Sequence, residues 1–311
     1  MDELAGGIRR LTFPLPLGIR HVHCYVLPGP DGWTLVDTGL GLPDASGRWE
    51  RVLSDLDAPV SRIVVTHFHP DHVGGGEDAQ ALTGATVLQG RRDYEQCLRV
   101  WGSEDWSERL ADYLRAHGLP QPVADELRQE SRTFAPFIRF ARDPELLGEG
   151  DEVDGWRVVE LPGHADGHIC LLRDGVLVAG DHLLGVITPT VGLYPESRPD
   201  PLADYQASLQ RTIELAPEVA LPGHGDAVAD PVTRAHEILE HHERRLDETT
   251  AALGPKARNA YEVSVALFGT SLDASGRRFA LAETLAHLER LVQEGRAART
   301  GDDRNVSYTA T

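Results

Sequence analysis

The chain alternates short runs of β-branched and apolar residues with longer segments in which apolar residues recur every three or four positions. The short runs predict strands, because such side chains suit a pleated, buried surface. The longer segments predict amphipathic helices, and the clearest surround Trp49 and Tyr205. Together they predict an α/β fold. The predicted strands are residues 23–27, 33–36, 62–65, 86–88, 156–161, 169–172, 176–179 and 218–221.

A long helix is predicted near the end of this alternating region. Asp230 is suited to cap it, and Pro231 to occupy its first position. The apolar spacing continues to the Gly-Pro pair at 254–255, where a helix must end. Two more helical segments and a polar stretch able to pair as a hairpin follow. We therefore predict two domains, residues 1–254 and 255–311.

Residues 91–141 interrupt the alternation with helical patterns alone. Ser103 is the predicted cap of the second helix of this insertion, and Gly118 closes that helix. Cys97 is expected to be a packing residue. A lid over a cleft and a dimer surface both explain so many aromatic residues, and the two interpretations stay open. The aromatic side chains are Tyr94, Trp101, Trp106, Tyr113, Phe134, Phe137 and Phe140.

Composition narrows the classes of partner. A net charge of -19 argues against nucleic acid, because a strongly acidic protein repels polyanions. No apolar run approaches the length of a membrane span, and the first residues have no apolar signal region, so a cytoplasmic protein without membrane contact is predicted. The cysteines are three and far apart, so any metal must be held by histidine and carboxylate.

The segment "THFHPDH" carries the strongest chemical signal. His67, His69, Asp71 and His72 directly follow a predicted strand, at the end where open α/β sheets usually bind ligands. Neutral imidazoles and a carboxylate are good ligands for zinc or iron. Four such groups on one short loop cannot close around one ion, so further ligands must come from elsewhere.

Three other strand ends offer those ligands. His164 in "LPGHADGH", Asp181 in "AGDH" and His224 in "LPGHG" each follow a strand beside a glycine, which allows a sharp turn and a close approach. A hydrogen-bonded loop residue would be the ordinary explanation for any one of them. Their shared context instead predicts a common metal site.

The remaining candidates surround these seven residues. Asp37 in "LVDTG" is predicted to support a ligand, with an ordinary turn residue as the alternative. His168 and His182 are predicted either to support ligands or to have no role. The pattern assigns nothing to His21 and His23, and it predicts solvent exposure for His236, His241 and His242.

"LVDTG", "THFHPDH", "GHADGH", "GDH" and "PGHG" occur in an order that resembles the metallo-β-lactamase-fold hydrolase superfamily, over about residues 11–253. The resemblance implies an αββα four-layer sandwich with two divalent metal ions between its sheets, zinc first, with iron or manganese as alternatives. It implies that His67, His69 and His164 bind the first metal. It implies that Asp71, His72 and His224 bind the second, and that Asp181 bridges the two.

The last 57 positions resemble the small winged-helix domain that follows some members of this superfamily, including ones with endoribonuclease activity. Winged helices often contact nucleic acid, so charge decides between the interpretations. From Lys256 onward the chain has 8 basic and 7 acidic residues, far from the excess of a nucleic-acid reader. We therefore expect a structural or dimerising appendage, and a homodimer is the partner it suggests.

The predicted function follows from this site. A metal-bridging hydroxide would attack a small-molecule ester, thioester or lactone, and Asp71 would orient it and take its proton. Tyr194 in "GLYPES" is a candidate hydrogen-bond donor to the substrate, with plain loop packing as the alternative. A metal-dependent ribonuclease is the second hypothesis. An iron-dependent redox enzyme, or a metal binder without catalysis, is the third.

Overall fold

The structure is a computed structural model that describes residues 1–16, 18–254 and 256–311. Pro255, where the sequence predicts the start of a second domain, lies outside the described residues. The strands are β1 Asp2–Glu3, β2 Arg9–Pro14, β3 His21–Gly29, β4 Gly32–Val36, β5 Val60–Val65, β6 Thr86–Gly90, β7 Glu145–Leu147, β8 Glu152–Val153, β9 Trp156–Glu160, β10 Ile169–Arg173, β11 Val176–Gly180, β12 Val219–Pro222, β13 Ala297–Asp302 and β14 Asn305–Ala310.

Each predicted strand is confirmed within one or two residues at its ends. The sequence pattern missed β1, β2, β7 and β8. Three of these four are only two or three residues long, too short to show an alternation. The missed strands lie toward the edges of the sheets, where a short strand suffices to complete the pairing.

The predicted helices are confirmed, with one correction. Ser103 does not cap the second helix of the insertion: α5 begins at Trp106, and its N-cap is Asp105. The Ser103 hydroxyl instead donates to the Asp105 carboxylate. The helices are α1 Ala45–Ser54, α2 Pro70–Val73, α3 Gly76–Thr83, α4 Arg91–Val100, α5 Trp106–Ala116, α6 Gln121–Phe134, α7 Pro201–Leu215, α8 Pro231–Leu253, α9 Ala260–Phe268 and α10 Ala274–Gln293, with short 3-10 turns at Ala5–Gly7 and Ala135–Phe137.

Two sheets face each other between layers of helices, which gives the predicted αββα sandwich. The first sheet has the order β1-β2-β3-β4-β5-β6-β7, and the second has the order β12-β11-β10-β9-β8. Leu27 and Val64 of the first sheet pack with Trp156 and Leu171 of the second in one apolar cluster between them. A second cluster lies between the first sheet and α1, α3 and α4. The largest cluster lies between the second sheet and helices α5 to α10.

The topology brings several strand ends to one edge of the sandwich. In the first sheet β4, β5 and β6 are parallel, and in the second sheet β11 and β12 are parallel. Strand β9 points the same way as β11, because each pairs antiparallel with β10. The loops that follow β5, β9, β11 and β12 carry all of the predicted metal ligands, and they therefore leave the sheets at the same end.

The C-terminal segment shares its core with the rest of the chain. Leu281, Leu285 and Leu288 of α10 lie in the same buried cluster as Leu209 of α7 and Ile238 of α8. The predicted pair of helices and hairpin is confirmed, since β13 and β14 pair antiparallel. Among the described residues, no helix combines the length and the apolar character that crossing a membrane requires.

Two of the buried polar residues join α8 to α10. His242 was predicted to be solvated, and this prediction is wrong: it is 1% exposed and packs against His287. His287 donates from Nδ1 to the carbonyl of Glu283, and its Nε2 lies 3.2 Å from His242 Nδ1. His242 lies on the buried face of α8, whereas His236 lies on its exposed face. The charged sequence of this helix did not reveal the difference.

This histidine pair predicts a loss of stability at mildly acidic pH. Burial lowers the pKa of His242 to about 2 and that of His287 to about 4, whereas both rings titrate near 6.5 in the unfolded chain. Below about pH 6.5 these rings bind protons in the unfolded chain but stay neutral in the folded chain. The free energy of unfolding therefore falls as the pH falls. Each group contributes up to about 1.4 kcal/mol per pH unit.

The measurement is urea unfolding of the wild type and of His242→Gln between pH 7 and pH 4.5. Glutamine can still donate to His287 but does not titrate. We therefore expect the free energy of unfolding of the variant to fall less steeply as the pH falls, with a slope that corresponds to about one bound proton fewer. His236→Gln, on the exposed face of the same helix, is the matched control and should follow the wild type. Equal slopes for His242→Gln and the wild type would contradict the prediction.

Candidate metal centre

The loop after β5 is held tightly at the edge of the first sheet. His69 is the N-cap of the short helix α2, Pro70 occupies its first turn, and Asp71 lies where the helix dipole favours a negative charge. The hydroxyl and the amide of Thr38 both donate to the carbonyl of His72, each at 2.8 Å. The loop therefore presents several polar side chains toward the second sheet from a fixed backbone.

Side chains from the loops of both sheets form one group. His67 and His69 from the loop after β5 and His164 from the loop after β9 have ring nitrogens within 4.8 Å of one another. The ring centroids are 4.7 Å apart between His67 and His69, and 4.5 Å apart between His69 and His164. Three histidines in this arrangement can surround a small cation.

A second group adjoins the first. Asp71, His72 and His224 also have donor atoms within 4.8 Å of one another, and so do His67, His72 and Asp181. Asp181 faces both groups: its Oδ1 lies 3.5 Å from His72 Nε2, and its Oδ2 lies 3.6 Å from His164 Nε2 and 3.2 Å from His224 Nε2. The structure thus brings all seven predicted ligand residues into one cluster.

Several atoms of this cluster are buried without a hydrogen-bond partner among the described residues. They are Nε2 of His67, His72 and His164, and Oδ1 of Asp181. An unpaired buried polar atom costs about 1–3 kcal/mol, so four of them in one place need a compensating interaction. A divalent cation would supply it, since imidazole nitrogen and carboxylate oxygen are its common ligands. The His/Asp cluster is therefore compatible with a divalent metal site.

Hydrogen bonds fix the orientation of the rings. The Nδ1 of His72 lies 2.8 Å from the carboxylate of Asp37, and that of His224 lies 2.6 Å from the carbonyl of His21. His164 donates in the same way to the carbonyl of Thr190, at 2.8 Å. With the proton held on Nδ1, each Nε2 lone pair points into the cluster. The interpretation of Asp37 as a supporting residue agrees with this contact.

Charge differs between the two groups of rings. Burial lowers the pKa of His67, His69 and His164, which keeps these rings neutral and able to bind a cation. Burial also opposes charge on His224, but the carboxylates of Asp181 and Asp71 outweigh it and raise its pKa to about 10. The two carboxylates thus concentrate negative charge where a cation would lie.

Gly223 allows the closest backbone approach in the cluster. A side-chain carbon at this position would lie 2.5 Å from Asp181 Oδ1 and 2.6 Å from the ring of His72. Both distances are far below van der Waals contact. The glycine that precedes His224 in "PGHG" therefore serves the packing of the site, and only this residue type fits.

Other histidines stand behind the cluster. His168 stacks on His67 at 4.8 Å, and its Nε2 accepts a hydrogen bond from the amide of Asp181. His182 faces away and lies 2.7 Å from the hydroxyl of Thr212. The sequence assigned no role to His21, whose carbonyl accepts a hydrogen bond from the His224 ring. Its position on β3, beside the "PGHG" loop, is a pairing that no local pattern reveals.

Tyr194 lies on the loop after β11, but its neighbours belong to the C-terminal segment. Its ring packs against the large cluster, and the charges that influence its pKa come from Arg278 and Glu283 of α10. Burial raises that pKa, so the phenol stays protonated. The role of substrate donor stays a prediction.

Known proteins resemble this chain along its whole length. The family described as the Metallo-beta-lactamase superfamily matches residues 17–224, and a Metallo-beta-lactamase-like C-terminal domain matches residues 246–311. The structure is similar to that of a metallo-beta-lactamase family protein from Thermus thermophilus, with a TM-score of 0.85, 36% identity and 99% of each chain covered.

The names of some relatives state a function. "Probable metallo-hydrolase YqjP" of Bacillus subtilis is 27% identical over 304 residues, which cover 91% of this chain and 92% of that protein. "Atrochrysone carboxyl ACP thioesterase" of Claviceps purpurea is 24% identical over 264 residues, which cover 79% of this chain and 66% of that protein.

Proposed function

Because the chain belongs to the metallo-β-lactamase superfamily and is a metal-dependent hydrolase of that kind, we propose that it holds two divalent cations and cleaves a small ester, thioester or lactone. The observation that supports this proposal best is the position of Asp181. Its carboxylate faces both groups of histidines: Oδ2 lies near His164 of the first group and His224 of the second, and Oδ1 lies near His72 of the second. A carboxylate shared between two cations would have this position.

In this proposal each cation has its own set of side chains. His67, His69 and His164 would hold the first, and Asp71, His72 and His224 would hold the second, while Asp181 would serve both. Zinc suits these nitrogen and oxygen ligands, and iron and manganese are the alternatives. When bound, the cations supply Lewis acidity, which makes water a nucleophile near neutral pH and stabilises charge on the attacked oxygen.

Asp71 is the residue of this chain that we assign to the handling of water. Its side chain is 16% exposed, against 8% for Asp181, so it lies at the accessible side of the cluster. Burial would raise the pKa of Asp71, but the neighbouring rings of His72 and His224 bring it below its ordinary value. The ionised carboxylate can accept a hydrogen bond from the attacking water, orient it and then take its proton.

The net charge of the protein and its similarity to a named thioesterase favour a thioester or ester substrate over RNA. The net charge of -19 repels a polyanion, and the segment from Lys256 onward adds almost no positive charge. A relative named as a thioesterase supports cleavage at an acyl carbon. In the same proposal residues 1–254 form the hydrolase domain, and residues 255–311 form a winged-helix-like domain that shares its core.

The test combines metal analysis with a panel of substrates. We expect purified protein to contain close to two equivalents of transition metal per chain. We expect it to hydrolyse thioesters, esters or lactones, to stop when a chelator removes the metal, and to recover when zinc, iron or manganese returns. Cleavage of single-stranded RNA in place of these substrates would support the ribonuclease. Hydrolysis that survives complete removal of metal would overturn the proposal.

A further inference from the structure

We propose that a cavity in the helical insertion binds the acyl group of the substrate, with Trp101 and Trp106 as its aromatic walls. This inference rests on the proposed function, because it names the apolar part of the ester or thioester that the metal centre would cleave. The cavity has a volume of ≈ 370 Å³ and lies where the end of α4, the beginning of α5 and the end of α6 meet.

The cavity has two aromatic walls, and charged side chains, Glu104, Arg132 and Arg142, also line it. The indole rings of Trp101 and Trp106 lie 4.8 Å apart and are inclined by 58°. Val100 and Ile138 add aliphatic surface, while the Ser131 side chain faces the same space from α6. Half-exposed tryptophans in a concave site favour a flat or compact apolar group over a polar one.

The cavity adjoins the candidate metal centre through Phe68. This residue lies between His67 and His69 in the chain, and its ring is 4.8 Å from that of His69. On its other side the Phe68 ring lies 6.2 Å from that of Trp101. The Trp101 indole donates to the Phe68 carbonyl at 2.7 Å. Phe68 therefore lies between the metal loop and Trp101, which lines the cavity.

Two further contacts fix the insertion to the loops of the site. The amide of Phe68 donates to the carboxylate of Asp93 in α4, at 2.9 Å. Arg109 in α5 donates to Glu196, on the loop that follows β11, at 3.0 Å. The insertion is thus attached to two of the loops that carry the proposed ligands, and the proposal places the reacting end of the substrate beside the cluster.

Volume limits the class of acyl group. An apolar cavity of about 150 Å³ holds one benzene ring, so a cavity more than twice as large accommodates about two rings. The assignment is an aromatic or alicyclic acyl group of up to two rings, for which 2-naphthoyl is a suitable representative. An acetyl group would be too small to reach past Phe68 into the cavity.

Binding is measured first, with a neutral probe that does not need the metal. We expect 2-naphthalenemethanol to bind the full-length protein in calorimetry and to quench tryptophan fluorescence. Ser131→Leu fills the cavity from α6 and should weaken binding at least about tenfold. Thr133→Leu changes an exposed position of the same helix and is the matched control. An unchanged affinity in Ser131→Leu, or the absence of binding, would overturn the assignment.

Hydrolysis separates this inference from the proposed function. Ser131→Leu should lower kcat/KM for a 2-naphthoyl thioester at least about tenfold more than kcat/KM for the acetyl thioester, whereas Thr133→Leu should not change the ratio of the two. If both thioesters are hydrolysed and Ser131→Leu affects neither, the cavity assignment fails while the proposed function stands. If neither is hydrolysed but the probe still binds in a Ser131-dependent way, the proposed function fails and the cavity remains a binding site.

Discussion

Replacement of His67 by alanine is expected to abolish both metal binding and hydrolysis. His67 is fully buried and belongs to two of the three ligand groups, one with His69 and His164 and one with His72 and Asp181. Its removal would leave the set proposed for the first cation a donor short. Without that cation the charge that holds Asp181 in place would be lost, and the second cation would be held more weakly. We expect the metal content to fall to near zero and kcat/KM to fall by about 10³-fold or more.

Metal analysis and turnover of the same preparations check this prediction. His236→Ala is the matched control, because His236 is exposed on α8, away from the cluster, and it should keep full metal content and activity. Circular dichroism separates loss of metal from loss of fold. A His67→Ala protein that keeps both metal and turnover would remove the first group of ligands from the proposed mechanism.

The seven residues of the cluster could be predicted from the sequence because each follows a strand directly. Strand ends at one edge of parallel pairs converge whatever the details of packing, and the strands themselves had strong apolar patterns. "THFHPDH" is also dense enough in ligand types to stand out from chance. The resemblance to a known superfamily then supplied the expected pairing of ligands with metals.

The partners that orient the rings were harder to predict. Asp37 was a candidate only because it also follows a strand. The carbonyl of His21 and the carbonyl of Thr190 leave no trace in the sequence, since any residue carries a carbonyl. The burial of His242 was missed for a related reason. Which face of a long charged helix is buried depends on the element that packs against it, here α10.

The helix α10 shows a signal that was present but not used. Apolar or small residues surround it on most sides, and Ala280, Leu281, Ala282, Leu285 and Leu288 are all buried. A helix that is apolar around most of its circumference is usually a buried helix, and not the solvated face of an appendage. Its pattern therefore predicts that the C-terminal segment inserts into the core of the protein.

Deletion of residues 256–311 is accordingly expected to prevent folding of the remaining chain. Leu281, Leu285 and Leu288 are each 0% exposed in the cluster that also contains Leu209 and Ile238. Each buried leucine contributes about 1.5–3 kcal/mol, so the loss of three is comparable with the whole stability of a typical protein, about 5–15 kcal/mol.

The deletion would also leave polar groups without partners. The amide of Leu193 would lose the carbonyl of Ala282, and the Asp200 carboxylate would lose Arg290, which lies 3.2 Å away. Both lie on or next to the loop that follows Asp181, so the damage would reach the metal cluster. Unfolding therefore removes metal binding as well as structure.

Thermal unfolding of the shortened chain, and its binding of a dye that recognises exposed apolar surface, measure the effect. Leu285→Ala is a smaller change of the same kind, with an expected loss of about 2–5 kcal/mol in the free energy of unfolding. We expect the shortened chain to bind the dye strongly and to show no cooperative transition. If it instead melts cooperatively near the temperature of the full-length protein, residues 1–255 are an independent domain. The apolar faces of α7 and α8 that α10 covers would then have to be stable in water, which their side chains make costly.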